Sequence, residues 1–108
     1  MSILHVVLFR FPTPLSSEDE STMTAMVEGF PSVIDGLGVC RFGTDITGAR
    51  TFGFQYLLQS EFDDLDALEA YRVHPSHVAF VEWIGERHCE VLAFDYALSD
   101  RTDFSLRS

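Results

Sequence analysis

Lysine and asparagine are both missing from this 108-residue chain. Without lysine the protein cannot form a Schiff base with a carbonyl substrate or with pyridoxal phosphate, and it has no phosphate-loop ammonium group. Positive charge rests on 7 arginines against 17 acidic residues, a net charge of −10. A nucleic-acid binder needs a basic footprint, so no such partner is expected. Cysteine is scarce as well: Cys40 and Cys89 are too few for a disulfide framework. The start, MSILHVVLFRF, lacks the basic region and cleavage site of a secretory signal, so a cytoplasmic protein with reduced thiols is expected. No apolar run approaches the ~20 residues that span a bilayer. Glycine-rich phosphate loops, nucleophile elbows and dinucleotide fingerprints are absent too, and no cofactor is expected.

Apolar residues, by contrast, are plentiful. They make up 46% of the chain and include 10 phenylalanines, more than one small domain needs for its own core. Part of that apolar surface is therefore expected to be covered by a second copy of the chain, in a homodimer.

The run at 3–11 (ILHVVLFRF) is β-branched and aromatic and ends at Pro12 and Pro14, which predicts a strand. Ile3, His5, Val7, Phe9 and Phe11 fall on one face and Leu4, Val6 and Leu8 on the other. Both faces are apolar, so both need cover. Ser17 with Glu20 reads as a capping box, and Met23, Met26, Val27, Phe30 and Ile34 then repeat at helical spacing over about 17–33, up to a stop near Gly36. Strands are predicted over 37–46 and 52–60, joined by a polar turn. A second helix, capped by Asp63 or Asp64, carries Leu65, Leu68 and Tyr71 on one face. His74-Pro75 interrupts it, because the residue before proline avoids helical dihedrals while proline suits a new first turn. A short helix over 76–84, a strand over 88–96 and a polar tail complete the chain.

The order βαββαβ predicts an α+β, ferredoxin-like fold with a four-stranded antiparallel sheet and helices on one face. Pairing of the open faces would make a dimeric α+β barrel. Residues 1–98 are assigned to the domain and 99–108 to the tail, in which Phe104 and Leu106 are the apolar residues able to dock.

Several strings resemble those of the stress-responsive α/β-barrel (Dabb) family: His5-Val6-Val7-Leu8-Phe9, Gly43 with Asp45, Phe62, Phe94-Asp95-Tyr96 and above all Tyr71-Arg72-Val73-His74-Pro75-Ser76-His77. The resemblance spans about 3–96. It implies a dimeric barrel and, because one member is a cyclase that closes a linear polyketide by aldol condensation, an acid/base site. It places the catalytic histidine on His77, its phenolic partner on Tyr71, an orienting aspartate on Asp95 and a pocket histidine on His5. It also places pocket positions at Met23, Val27, Tyr56 and Leu58, although aromatic residues on the first helix and a histidine on the third strand are replaced here by Met23, Val27 and Tyr56. The substrate is therefore expected to differ.

The residues themselves admit that chemistry. An imidazole can take and return a proton near neutrality, and a carboxylate would fix its tautomer, so a His77–Asp95 dyad is expected. Tyr71 would donate to a substrate carbonyl oxygen and stabilise the enolate. The plainer readings are a helix-to-strand tie for His77 and Asp95 and core filling for Tyr71. His5 shares a strand face with Val7 and Phe9, and all three are assigned to substrate binding. His74-x-x-His77 has the spacing of a metal pair, but the intervening proline spoils it, and no metal site is expected. The leading expectation is thus a cofactor-free lyase-, cyclase- or isomerase-like enzyme acting on a small, largely apolar carbonyl compound. The alternatives are a non-enzymatic stress or ligand-binding barrel and, by fold analogy alone, a cofactor-independent monooxygenase.

Overall fold

The computed structural model describes residues 2–103. Strand β1 (Ile3–Arg10) leads to helix α1 (Ser17–Glu28), a single helical turn α2 (Phe30–Val33), and strands β2 (Leu37–Thr44) and β3 (Tyr56–Phe62). Helices α3 (Leu65–Val73) and α4 (Pro75–Glu86) follow, then β4 (Glu90–Ala97) and a 3-10 turn at Leu98–Asp100. The strands form one antiparallel sheet in the order β2-β3-β1-β4. Because β3 lies between β1 and β2, each helical segment crosses over a strand, as the predicted ferredoxin-like topology requires.

Alternation along β1 divides the sheet. Ile3, His5, Val7 and Phe9 are buried beneath the helices, packed with Met23, Val27, Phe30, Leu68, Tyr71, Phe80 and Ile84. Leu4, Val6 and Leu8 belong to the face that carries no helix. There β4 adds Leu92, Phe94 and Tyr96, with Phe94 66% exposed. Helices shield β1 and β3 but stop short of β4, whose helix-side Val91 is also exposed.

Three local details depart from expectation, and a fourth concerns the end of the sheet. The cap of α1 is Ser16, whose hydroxyl accepts from the Asp19 amide (3.1 Å), and not Ser17, which is already helical. Strand β3 starts at Tyr56 and not at 52, because Phe52 and Gly53 take left-handed backbone angles (φ 52° and 84°) and turn the chain. Helix α4 passes through Gly85 and ends at Glu86, and β4 begins only after His88 (φ 57°) has reversed direction. Leu98 donates its amide to the Ser2 carbonyl (2.8 Å), so the chain stays tied to the sheet just past β4. Phe104 and Leu106 lie outside the described residues.

Gly36 marks the tightest approach between layers. It sits at φ 81°, and a Cβ there would lie 2.6 Å from the Ala67 Cβ. Gly36→Ala is expected to cost about 1–3 kcal/mol, from strain and overpacking together. A thermal melt should show the midpoint falling by several degrees, at about 4–8 °C per kcal/mol for a domain near this size. An unchanged midpoint would mean that α3 shifts away without cost.

Candidate active site

The site begins with register. His5 on β1 stands directly opposite Asp95 on β4, both on the helix side of the sheet. Cross-strand partners have neighbouring Cβ atoms, so the two side chains meet without help from a loop. His5 Nδ1 hydrogen-bonds Asp95 Oδ1. A carboxylate accepts, so Nδ1 carries the proton and Nε2 is directed elsewhere.

Tyr71 lies in the last turn of α3. It is 2% exposed and is held by aromatic neighbours: the Phe62 ring centroid is 4.9 Å away, Phe30 5.7 Å and His5 5.9 Å. Its hydroxyl bonds to no described residue, and no buried side-chain polar atom there lacks a partner, so it opens onto a cavity. Burial, with a smaller push from Cys40, raises the phenol above its ordinary range and keeps it a donor.

The break between α3 and α4 positions the second imidazole. His74 caps α4 by accepting the Ser76 amide on Nδ1 (3.1 Å), and Pro75 occupies the first helical turn. This brings His77 back beneath Tyr71, with ring centroids 4.1 Å apart. His77 Nδ1 lies 3.2 Å from the Arg72 carbonyl oxygen, which can only accept. The proton therefore sits on Nδ1, and Nε2 keeps its lone pair. Burial lowers the His77 pKa below its ordinary 6.5; the bond to Arg72 opposes this, while the charges of His5 and Arg72 add to it.

These groups share an apolar cavity of about 210 Å³. His5, Val7, Phe9 and Leu58 form its floor, Phe80, Val81 and Ile84 one wall, and Val91 and Ala93 the sill. Tyr71, Arg72 and His77 close one end.

The expected His77–Asp95 dyad does not form. Asp95 faces His5 and, at 3.7 Å, the Arg72 guanidinium; register gave it the histidine on its own sheet, while the imidazole on α4 found a backbone carbonyl. Asp95 thus lies behind the cavity wall as support for His5. Three of the assigned pocket residues also lie elsewhere. Met23 is fully buried in the core, Val27 borders a separate depression with Cys40 and Phe42, and Tyr56 donates its hydroxyl to Glu20 (2.7 Å), tying β3 to α1. The sequence reading omitted the α4 wall, although Phe80 and Ile84 have the four-residue spacing of one helix face. It also omitted Arg72, whose place at the cavity was masked by its position on an exposed helix surface.

An antiparallel α+β sheet with one open apolar face and a histidine-tyrosine cavity beneath its helices defines a ferredoxin-like barrel subunit. The profile of the Stress responsive A/B Barrel Domain matches residues 3–98, and the chain belongs to this Dabb family. Olivetolic acid cyclase of Cannabis sativa is 20% identical over 97 residues, covering 89% of this chain and 96% of the cyclase. A dimeric ferredoxin-like protein of unknown function from Thermobifida fusca superposes with a TM-score of 0.78 at 26% identity, covering 91% of this chain and 92% of its own. Hydroxynitrile lyase from Passiflora edulis shares the fold, with a TM-score of 0.81, 18% identity and coverage of 94% and 97%. Among the described residues no helix is long and apolar enough to cross a membrane.

Proposed function

We propose that this protein is a homodimeric, cofactor-free acid/base enzyme acting on a small carbonyl compound, by cyclisation, isomerisation or a related lyase reaction. The observation that carries the reading is the convergence of His5, Tyr71 and His77 on one apolar cavity. His77 Nε2 removes a proton from the carbon beside the carbonyl, and the electron pair passes to the carbonyl oxygen. The Tyr71 hydroxyl donates to that oxygen as charge develops, inside a largely apolar cavity. In a cyclisation the enolate carbon attacks a second carbonyl, and the His77 imidazolium returns its proton to the new alkoxide. His5, oriented by Asp95, binds a further polar group of the substrate. The cyclase and lyase among the relatives fit this chemistry, and the unpaired thiols of Cys40 and Cys89 fit a cytoplasmic setting.

Phenylacetone tests the first step without knowledge of the natural substrate. Its benzylic protons should exchange with deuterium faster in the presence of the protein than in buffer, followed by NMR. Tyr71→Phe removes only the oxyanion donor and should slow that exchange by about 10²-fold while leaving the melting temperature nearly unchanged. Saturable binding without any exchange above buffer would favour the second reading, a non-enzymatic ligand-binding barrel, for which the apolar walls are equally suited.

A further inference from the structure

Four residues with polar side chains line the cavity: His5, Tyr71, His77 and Arg72. The first three suit a carbonyl and the hydrogen beside it. The Arg72 guanidinium has no part in that step, yet the residue stands at the cavity with its side chain 51% exposed. We propose that it is a specificity-determining residue, and that the substrate is a carbonyl acid whose carboxylate rests on this guanidinium while its enolisable carbon meets His77. The inference rests on the acid/base reading of the same cavity and narrows the substrate class.

The geometry of the arginines carries it. Arg10 spends its donors on the Phe52 carbonyl (2.7 Å) and Glu90 (2.6 Å), and Arg87 spends its own on Asp19 (3.1 Å) and the Trp83 carbonyl (3.0 Å). Arg72 makes no such bond with its guanidinium among the described residues. Its nearest acids are Glu69, 3.5 Å from Nε, and Asp95, 3.7 Å from Nη2. Glu69 is mostly solvated, and Asp95, which gives Oδ1 to His5, turns Oδ2 toward Arg72 without reaching hydrogen-bond distance. Both ion pairs fall on Nε and Nη2 at 3.5 Å or more, which leaves the Nη1 side of the guanidinium without an acidic partner among the described residues, and a carboxylate matches it in charge.

Arg72 is loosely paired with the Asp95 carboxylate that orients His5, and a substrate carboxylate would compete with that contact. The chain's net charge of −10 repels anions at long range, but salt screens that field beyond about 8 Å, so a local contact decides binding. A bound carboxylate would also offset the Arg72 charge that disfavours protonation of His77, making the base stronger in the complex than in the free protein.

Phenylpyruvate and its neutral amide share the benzylic carbonyl unit of phenylacetone and differ in the group offered to Arg72. Calorimetry on the whole protein should show the acid binding about tenfold more tightly than the amide. Arg72→Met should bring the two within about twofold, and Arg72→Lys should retain part of the preference, since a point charge replaces the fork. Equal binding of acid and amide to the unmodified protein overturns the inference even if no variant folds, and so does a preference that survives Arg72→Met. Deuterium exchange on the same compounds separates the two readings. A preference for the acid without exchange leaves the carboxylate site standing and removes the chemistry, whereas exchange with no preference does the reverse.

Discussion

His77→Ala should lower protein-catalysed exchange of the benzylic protons of phenylacetone by about 10²- to 10⁴-fold, the contribution of a positioned general base. The basis is the pairing of His77 Nδ1 with the Arg72 carbonyl, which leaves Nε2 unprotonated at the cavity. The pH dependence has a definite sign. Burial disfavours the imidazolium, so the folded-state pKa lies below the ordinary 6.5. The base is neutral and active above that folded pKa and is lost as pH falls through it, so the acid limb of the rate profile should have its midpoint below 6.5. Stability follows the same sense, because the unfolded chain binds the proton more readily. The His77 contribution is fully present above the unfolded pKa and is lost as pH falls through the folded one. Asp95→Asn should act through His5, weakening substrate binding more than it slows proton removal. Full exchange activity in His77→Ala would remove His77 from the role of base.

Static light scattering at micromolar concentration should return about twice the 12.2 kDa chain mass. Leu4, Val6, Leu8, Leu92, Phe94 and Tyr96 share the helix-free face of adjacent strands, with Leu92 and Phe94 more than half exposed in the single chain. A contiguous apolar face of this kind marks an interface in a soluble protein. A two-fold dimer would bury it against itself, as the dimeric relative from Thermobifida fusca suggests. Phe94→Asp would place an unpaired charge at that interface, at about 3–5 kcal/mol, or roughly two to four decades in the dimer constant. Two-fold symmetry applies the change twice. The variant should therefore appear as monomer or lose solubility, while the same substitution at the exposed loop residue Phe52 should leave the mass unchanged. A folded, stable monomer of the unmodified chain would overturn the prediction.

Periodicity and breakers carry local information, and they served well for the elements. The two faces of β1, the apolar stripe from Met23 to Ile34 and the break at His74-Pro75 all stand where their residue types put them, because side-chain direction follows from backbone period. The string from Tyr71 to His77 stood out through its resemblance to the Dabb family, while its local fold follows from the cap at His74 and the proline beside it. Boundaries slipped where single residues took left-handed angles, at Phe52 and His88, since non-glycine residues give no sign of that in their identity.

By itself, then, the amino-acid order determined the secondary elements and the ferredoxin-like order, and only through the family resemblance did it group His5, Tyr71 and His77, which line one cavity. Only the tertiary structure decided who bonds to whom within it. Asp95 serves His5, 90 positions away, and not His77, because the antiparallel register of β1 and β4 sets those two side chains opposite each other. Met23 and Tyr56 closed into the core and the α1 tie, while Arg72 came to the cavity mouth. Long-range register and packing settle such contacts, and neither is written in the spacing of residues along any one element.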